Sequence, residues 1–328
     1  MVQGCENVKP ALRRAPQVSY RHDDPEAVLG EPGTLAVFGF GTGAARSEDP
    51  RWLGVDLEGI DAPVPVEIWQ VAGTVSQGRE GDVQWSAGDG WLFAAITLDE
   101  NSHGGPRDTA HEAYGQLCRF VVGRRERHVQ RIWNYLSDIN EGEGDAERYK
   151  LFCDGRATGM GSFFAEGFPA ATAIGHHASA PRLQIYLLAC DEAGLRVENP
   201  RQVSAWRYPR QYGRTPPSFA RAMMLPAGDA LAISGTAAVV GHASAHEDDL
   251  LAQLGETLTN LETLLHSAGM TAGFDTQSPL KAYVRQPTDA PVVRDFLQQR
   301  LPGVPVLLLH GDICRQELLV EIDGWRYA

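Results

Sequence analysis

Polar and apolar positions follow two periods along this chain. Between Val64 and Leu98 the runs VEIWQVAGTV, DVQWSAG and GWLFAAITL are separated by glycine-rich turns, and they predict strands. Ala110, Ala113, Leu117 and Phe120 then recur at helical spacing and predict a helix from about Thr109 to Gly123. HVQRIWNYL reads as a strand, Ala146 to Cys153 as a second helix, and ATAIGHHAS and LQIYLLAC as two further strands. Asn199-Pro200 marks a boundary. Beyond it, strand signals recur in VSAWRYP, SFARAMML and ALAISGTAAVVG. Ser244 with Glu247 has capping-box spacing and predicts the start of the longest helix. Its apolar stripe is Leu250, Leu254, Leu258, Leu261 and Leu265, and Gly269 closes it. LKAYVR is a strand, Ala290 to Leu301 a helix, and Pro305 to Trp325 a final strand pair folded about the break Cys314–Glu317.

The two halves repeat one order of elements: β-β-α-β-α-β-β. This predicts an α+β protein of two tandem units, each a sheet with helices on one face. Residues 1–199 form the first unit with its N-terminal arm, and residues 200–328 form the second. The crevice between them is the expected small-molecule site. Residues 1–33, polar and rich in proline, read as a poorly structured arm or strap. A strand from Thr34 to Phe38 leads into the glycine cluster Gly39–Gly43. A dinucleotide site would need a helix there, but Ala44 to Pro50 does not read as one, so the glycines predict a turn.

Composition narrows the function. The net charge of −13 argues against a general nucleic-acid surface. The apolar runs are too short to span a membrane. Five cysteines with no CxxC pair fit a reduced, cytoplasmic protein. His176-His177 has no partner at metal-ligand spacing, so no metal is assigned. Arginines 201, 207, 210, 214 and 221 lie in a stretch without any acidic residue. That stretch fits capture of an anionic small molecule, and it fits equally well ion pairing with the acidic remainder.

One carboxylate stands out. Glu321 sits inside Leu318-Leu319-Val320-Glu321-Ile322, where poor solvation should raise its pKa and leave it a proton donor near neutral pH. If the break at Cys314–Glu317 is a hairpin turn, Cys314 lies across from the strand carrying Glu321. Glu321 and Cys314 are therefore the candidate reaction centre. The same pattern also fits a Glu321 that points to solvent from a half-buried strand.

Val320-Glu321-Ile322 resembles the last-strand motif of the RidA (YjgF) fold, also described as chorismate-mutase-like. From about Gly115 to Gly324 the chain resembles the chorismatase family. The resemblance rests on Arg131–Leu136, Glu147–Tyr149, Phe152–Arg156, Tyr212-Gly213, Ser218–Arg221, Ile233–Ala237, Gly241-His242, Tyr283–Arg285, and Cys314-Arg315 through Ile322. The first hundred residues carry no matching motif. The resemblance implies an enzyme without metal or organic cofactor that removes the enolpyruvyl group of chorismate as pyruvate. Glu321 matches the family's acid, which protonates the enolpyruvyl methylene. Cys314 and Gly241 match residues of the branch that forms 3-hydroxybenzoate, some members of which also form 4-hydroxybenzoate. Chorismate is a dianion, so Arg148, Arg221 and Arg285 are the candidates for its carboxylates, and Tyr212 and Asn134 for its neutral oxygens. A hydrolytic chorismatase giving a dihydroxylated cyclohexadiene acid, a RidA-like imine deaminase and a non-catalytic binder of aromatic acids are the alternatives. A monomer or a small homo-oligomer is expected.

Overall fold

A computed structural model describes residues 14–270 and 272–328. Two seven-stranded sheets dominate it. The first contains, in spatial order, Val83–Gly88, Trp91–Asp99, Arg182–Cys190, His128–Ser137 and Ala170–His176. The second contains Ala222–Met224, Ala230–Thr236, Val320–Tyr327, Leu280–Val284 and Val306–His310 in the same order. In each sheet the last two strands pair in parallel, and the others pair antiparallel. A parallel pair cannot be closed by a tight turn and needs a crossover, which helices Arg148–Met160 and Ala290–Arg300 supply. The repeated element order read from the sequence is thus a repeated topology. Each sheet also borrows an edge strand from the other half. Asp312–Ile313 pairs with Ala170–His176, and Glu58–Gly59 pairs with Val306–His310.

The helices cover one face of each sheet. Ala110, Ala113, Leu117 and Phe120 pack on the first, and Leu254, Leu258, Leu261 and Leu265 on the second. The opposite faces meet around a shared core. A four-stranded sheet of Gln17–Arg21, Val66–Gln70, Thr34–Phe40 and Trp52–Val55 contributes the third wall. Phe38, Trp69, Phe93, Trp133, Tyr186 and Trp325 fill the centre, with Trp133 stacked on Tyr186 at 4.8 Å. Charge is buried there too. Lys281 Nζ meets Glu67 Oε2 at 3.0 Å, and Arg131 Nη2 meets Asp323 Oδ2 at 3.1 Å. Burial alone would lower the Lys281 pKa, but Glu67, Tyr135 and Asp323 together hold it above its ordinary value. Lys281 and Tyr283 share one face of their strand, and that face looks into the shared core.

Several expectations change. The final strands do not pair with each other. Val306–His310 and Val320–Tyr327 flank Leu280–Val284 on opposite sides, because the parallel crossover places that strand between them. Within the expected arm, Gln17–Arg21 is a sheet strand and Pro25–Leu29 a helix. The first thirteen residues lie outside the described ones. VSAWRYP forms no strand, only a 3₁₀ turn at Ala205–Arg207, and SFARAMML yields only Ala222–Met224. The longest helix starts at Leu250, capped by Asp249, whose carboxylate accepts from Ala252 N at 3.0 Å. Ser244 instead donates to Glu317 Oε1 at 2.7 Å, and φ values of 60° at His246 and Asp248 break the chain before the helix. The helix expected at Ala146–Cys153 is longer, Arg148–Met160. After Gly39–Gly43 no helix follows: Gly39 lies in the strand Thr34–Phe40 against the Trp52 ring, and Gly41 turns at φ +82°.

Candidate active site

Strand alternation sets the site. Val320 and Ile322 face the leucine helix, so Glu321 and Asp323 share the other face. Glu321 is 6% exposed. Burial pushes its carboxyl up to about 8, and the Asp323 charge adds to the rise, while Arg131, Arg221 and Arg315 oppose it. Asp323 is held differently. Thr172 Oγ1 (2.7 Å), Tyr283 OH (2.9 Å), Trp133 Nε1 (3.0 Å) and Arg131 Nη2 (3.1 Å) all donate to its Oδ2. Two carboxyl groups two residues apart thus have different surroundings, and burial favours the protonated form of Glu321 near neutrality.

Glu321 has room because of Gly235. A Cβ at position 235 would stand 1.8 Å from Glu321 Oε1. The Ala230–Thr236 strand also shifts register against Val320–Tyr327 between Ile233 and Thr236. That irregularity opens the sheet at Gly235, whose N–H donates to Thr172 Oγ1 at 2.9 Å.

Glu321 faces a cavity of about 240 Å³, shared with Cys314, Arg315, Arg221, Tyr208 and Tyr212. Arg221 Nη2 donates to Tyr208 OH at 2.7 Å and to Val203 O at 2.9 Å. The Arg315 guanidinium lies 4.0 Å from the Tyr212 ring centroid and donates to His242 O at 2.9 Å. Burial pushes the Cys314 thiol up to about 12, and Glu321 adds to this. Cys314 reaches the cavity because Asp312–Ile313 joins the edge of the first sheet and the chain then turns back. It does not get there by the expected hairpin. The arrangement offers a neutral carboxylic acid, a neutral thiol and two guanidinium groups around one concave space. That set can hold an anion and protonate it.

Comparison with known proteins agrees with this chemistry. The family model described as chorismatase FkbO/Hyg5-like, N-terminal, matches residues 67–189. A protein of Streptomyces rapamycinicus named chorismatase is 35% identical, over 79% of this chain and 81% of its own length. The chain belongs to the chorismatase family. A second relative in that family, named 3-hydroxybenzoate synthase, from Streptomyces hygroscopicus, is 33% identical over 83% of this chain and 84% of its own. A crystal structure of a chorismatase superposes with a TM-score of 0.85 at 30% identity, covering 98% of this chain and 100% of that one. The chorismatase fold therefore accounts for residues 14–100 as well, where no motif was recognised.

Of the site residues expected for a chorismatase, Glu321, Cys314, Arg221 and Tyr212 are brought together. Four others stand outside the cavity lining. Arg148 pairs with Glu100 and donates to Ser137 O at 2.9 Å. Arg285 is taken up by Asp312 Oδ1 (2.6 Å) and the carbonyls of Leu318 (2.8 Å), Ile313 (2.9 Å) and Arg315 (2.9 Å). It buttresses the loop that carries Cys314 and Arg315. Asn134 is buried, accepting from Tyr114 OH at 2.5 Å and donating to Thr172 O at 2.8 Å. Gly241 turns at φ +61° and bonds to Arg201 O at 2.8 Å; Gly235 is the glycine against the acid. Of the arginine-rich stretch, Arg201 pairs with Glu256, and Arg210 and Arg214 pair with Asp145.

Arg315, Tyr208, Gly235 and Asp323 had been given no role from sequence. Arg315 could have been found from its place beside Cys314 in the same break. Asp323 could have been found from its spacing of two from Glu321. Gly235 had no such signal, because its reason is a long-range contact. Among the described residues there is no cluster of His, Cys, Asp or Glu that could hold a metal, and no helix long and apolar enough to cross a membrane.

Proposed function

We propose that this chain converts chorismate into pyruvate and 3-hydroxybenzoate. The observation that carries the reading is a carboxyl group pushed to about 8 at the wall of a cavity that also presents two guanidinium groups. Arg221 and Arg315 hold the ring carboxylate of the dianion. Glu321 donates its proton to the enolpyruvyl methylene, and the ether carbon becomes an oxocarbenium ion. The substrate's neighbouring hydroxyl then attacks the ring carbon that bears the ether. That carbon–oxygen bond breaks, its electron pair quenches the oxocarbenium ion, and pyruvate departs. The proton of the attacking hydroxyl returns to Glu321. Opening of the resulting three-membered ring, with loss of a ring hydrogen and protonation of the oxygen, restores aromaticity. The two products carry all the atoms of chorismate, so no net water enters. A hydrolytic chorismatase would instead add one water and leave a non-aromatic diol.

The cavity draws Glu147, Tyr149 and Lys150 from the first half and the remaining groups from the second, so one chain supplies a whole site. This supports a monomer as the working unit. The acidic balance of the chain, −13, favours a small-molecule partner over nucleic acid, and five cysteines with no CxxC pair fit a cytoplasmic enzyme.

Incubation with chorismate, followed by separate measurement of pyruvate and aromatic product, tests the reading. Equimolar pyruvate and 3-hydroxybenzoate are expected; pyruvate with diene diol alone would select the hydrolytic reaction. Cys314 acts here as a thiol, because a group pushed to about 12 is not a thiolate nucleophile near neutrality. Cys314→Ala is therefore expected to keep pyruvate release within about tenfold and to lower the ratio of aromatic product to pyruvate. Equal loss of both products would contradict that role.

A further inference from the structure

Behind Glu321 lies a second, smaller chamber of about 40 Å³. Glu321, Cys314, Tyr149, Phe219 and Gly235 line both it and the main cavity, so the acid stands at the neck between them. The far wall carries Arg156, from the helix Arg148–Met160. Arg156 is 4% exposed, and its Nε and Nη2 are buried without a hydrogen-bond partner. Its guanidinium carbon lies 5.1 Å from the Tyr114 ring. Tyr114, Tyr149, Cys118 and Cys153 feel its charge, but burial raises all four above their ordinary values, so they surround it as neutral groups. An isolated buried cation with empty donors is costly and calls for an anion.

We infer that Arg156 is a substrate-positioning residue that binds the carboxylate of the enolpyruvyl arm in this rear chamber. The inference rests on the proposed function. A water needs about 10–15 Å³ of such space, so the chamber takes a carboxylate but not a six-membered ring. The ring carboxylate is borne directly by the ring and must stay in the main cavity with Arg221 and Arg315. The enolpyruvyl carboxylate sits on a short arm that can pass the neck. Splitting the two anionic ends in this way draws the arm, and with it the methylene, alongside Glu321.

Product inhibition tests this. In wild type, pyruvate should compete from the rear chamber and benzoate from the main cavity. Arg156→Gln is expected to weaken pyruvate inhibition by about tenfold or more, in keeping with loss of a charged hydrogen bond. Benzoate inhibition should change less than about twofold, and Arg156→Lys should recover part of the pyruvate affinity. Equal weakening of both inhibitors, or no change in either, with an unaltered melting temperature would overturn the assignment. A crystal of the wild-type protein soaked with pyruvate gives a second readout should Arg156→Gln fail to fold. Pyruvate carboxylate on Arg156 supports the inference, and pyruvate on Arg221 or Arg315 refutes it. A wild-type protein that releases no pyruvate from chorismate would defeat the proposed reaction itself, which is a separate result from misplaced pyruvate.

Discussion

Glu321→Gln is expected to cut pyruvate release from chorismate by about 10³-fold, within the usual range for removal of a general acid. The protein should nevertheless fold, because glutamine fills the same space and carries no charge to bury. Stability should respond in a characteristic way. The folded-state pKa of Glu321 is raised from 4.5 to about 8 by burial. Below the unfolded value both states hold the proton, and the group is neutral to stability. As pH rises from there to the folded value, the unfolded chain sheds its proton while the folded chain keeps it, so folding becomes less favourable. Glutamine has no such slope. The melting temperature of Glu321→Gln relative to wild type should therefore climb between about pH 4.5 and about pH 8 and level off above that. An active variant, or a pH-independent difference in melting temperature, would contradict the assignment.

Two arginines separate binding from support. Arg315→Gln removes a guanidinium that faces the cavity from above the Tyr212 ring. It should raise KM for chorismate by about 10- to 100-fold, the equivalent of one or two charged hydrogen bonds. Arg285→Gln removes a group that touches Asp312 and three backbone carbonyls and lines no part of the cavity. Its effect should fall on stability, with a loss of roughly 5 °C or more in melting temperature. KM of the folded fraction should move less than it does in Arg315→Gln, because Arg285 reaches the substrate only through the loop that it supports. Steady-state kinetics and thermal melts on both variants decide the point. A large KM effect from Arg285→Gln, with stability unchanged, would return it to the substrate site.

The contrast shows what a single sequence discloses about such a site. Glu321 could be picked out because its neighbours on both sides are apolar, although alternation along a strand leaves open which way its side chain points. Arg285 could not be placed, since a polar position on a strand fits a cavity, a surface or a buried ion pair equally well. The strand of Lys281 and Tyr283 makes the same point: nothing in its spacing tells that these two side chains meet another sheet. The repeated order of strands and helices carried the architecture, because each crossover helix enforces a parallel pair. Pairing partners were less accessible. The two-residue strand Asp312–Ile313 is too short for any periodicity, yet it diverts the chain so that Cys314 meets Glu321 without a hairpin. The helix cap failed for a similar reason: Ser244 and Asp249 are both good caps by type, and the bond from Ser244 to Glu317 and the backbone turns at His246 and Asp248 distinguish them.

The most direct test is the pH dependence of kcat/KM for pyruvate release from chorismate. With Glu321 as the proton donor, the rate should fall about tenfold per pH unit above an apparent pKa near 8, the value burial gives its carboxyl. A rate that stays level or rises through that range would show that the proton comes from elsewhere.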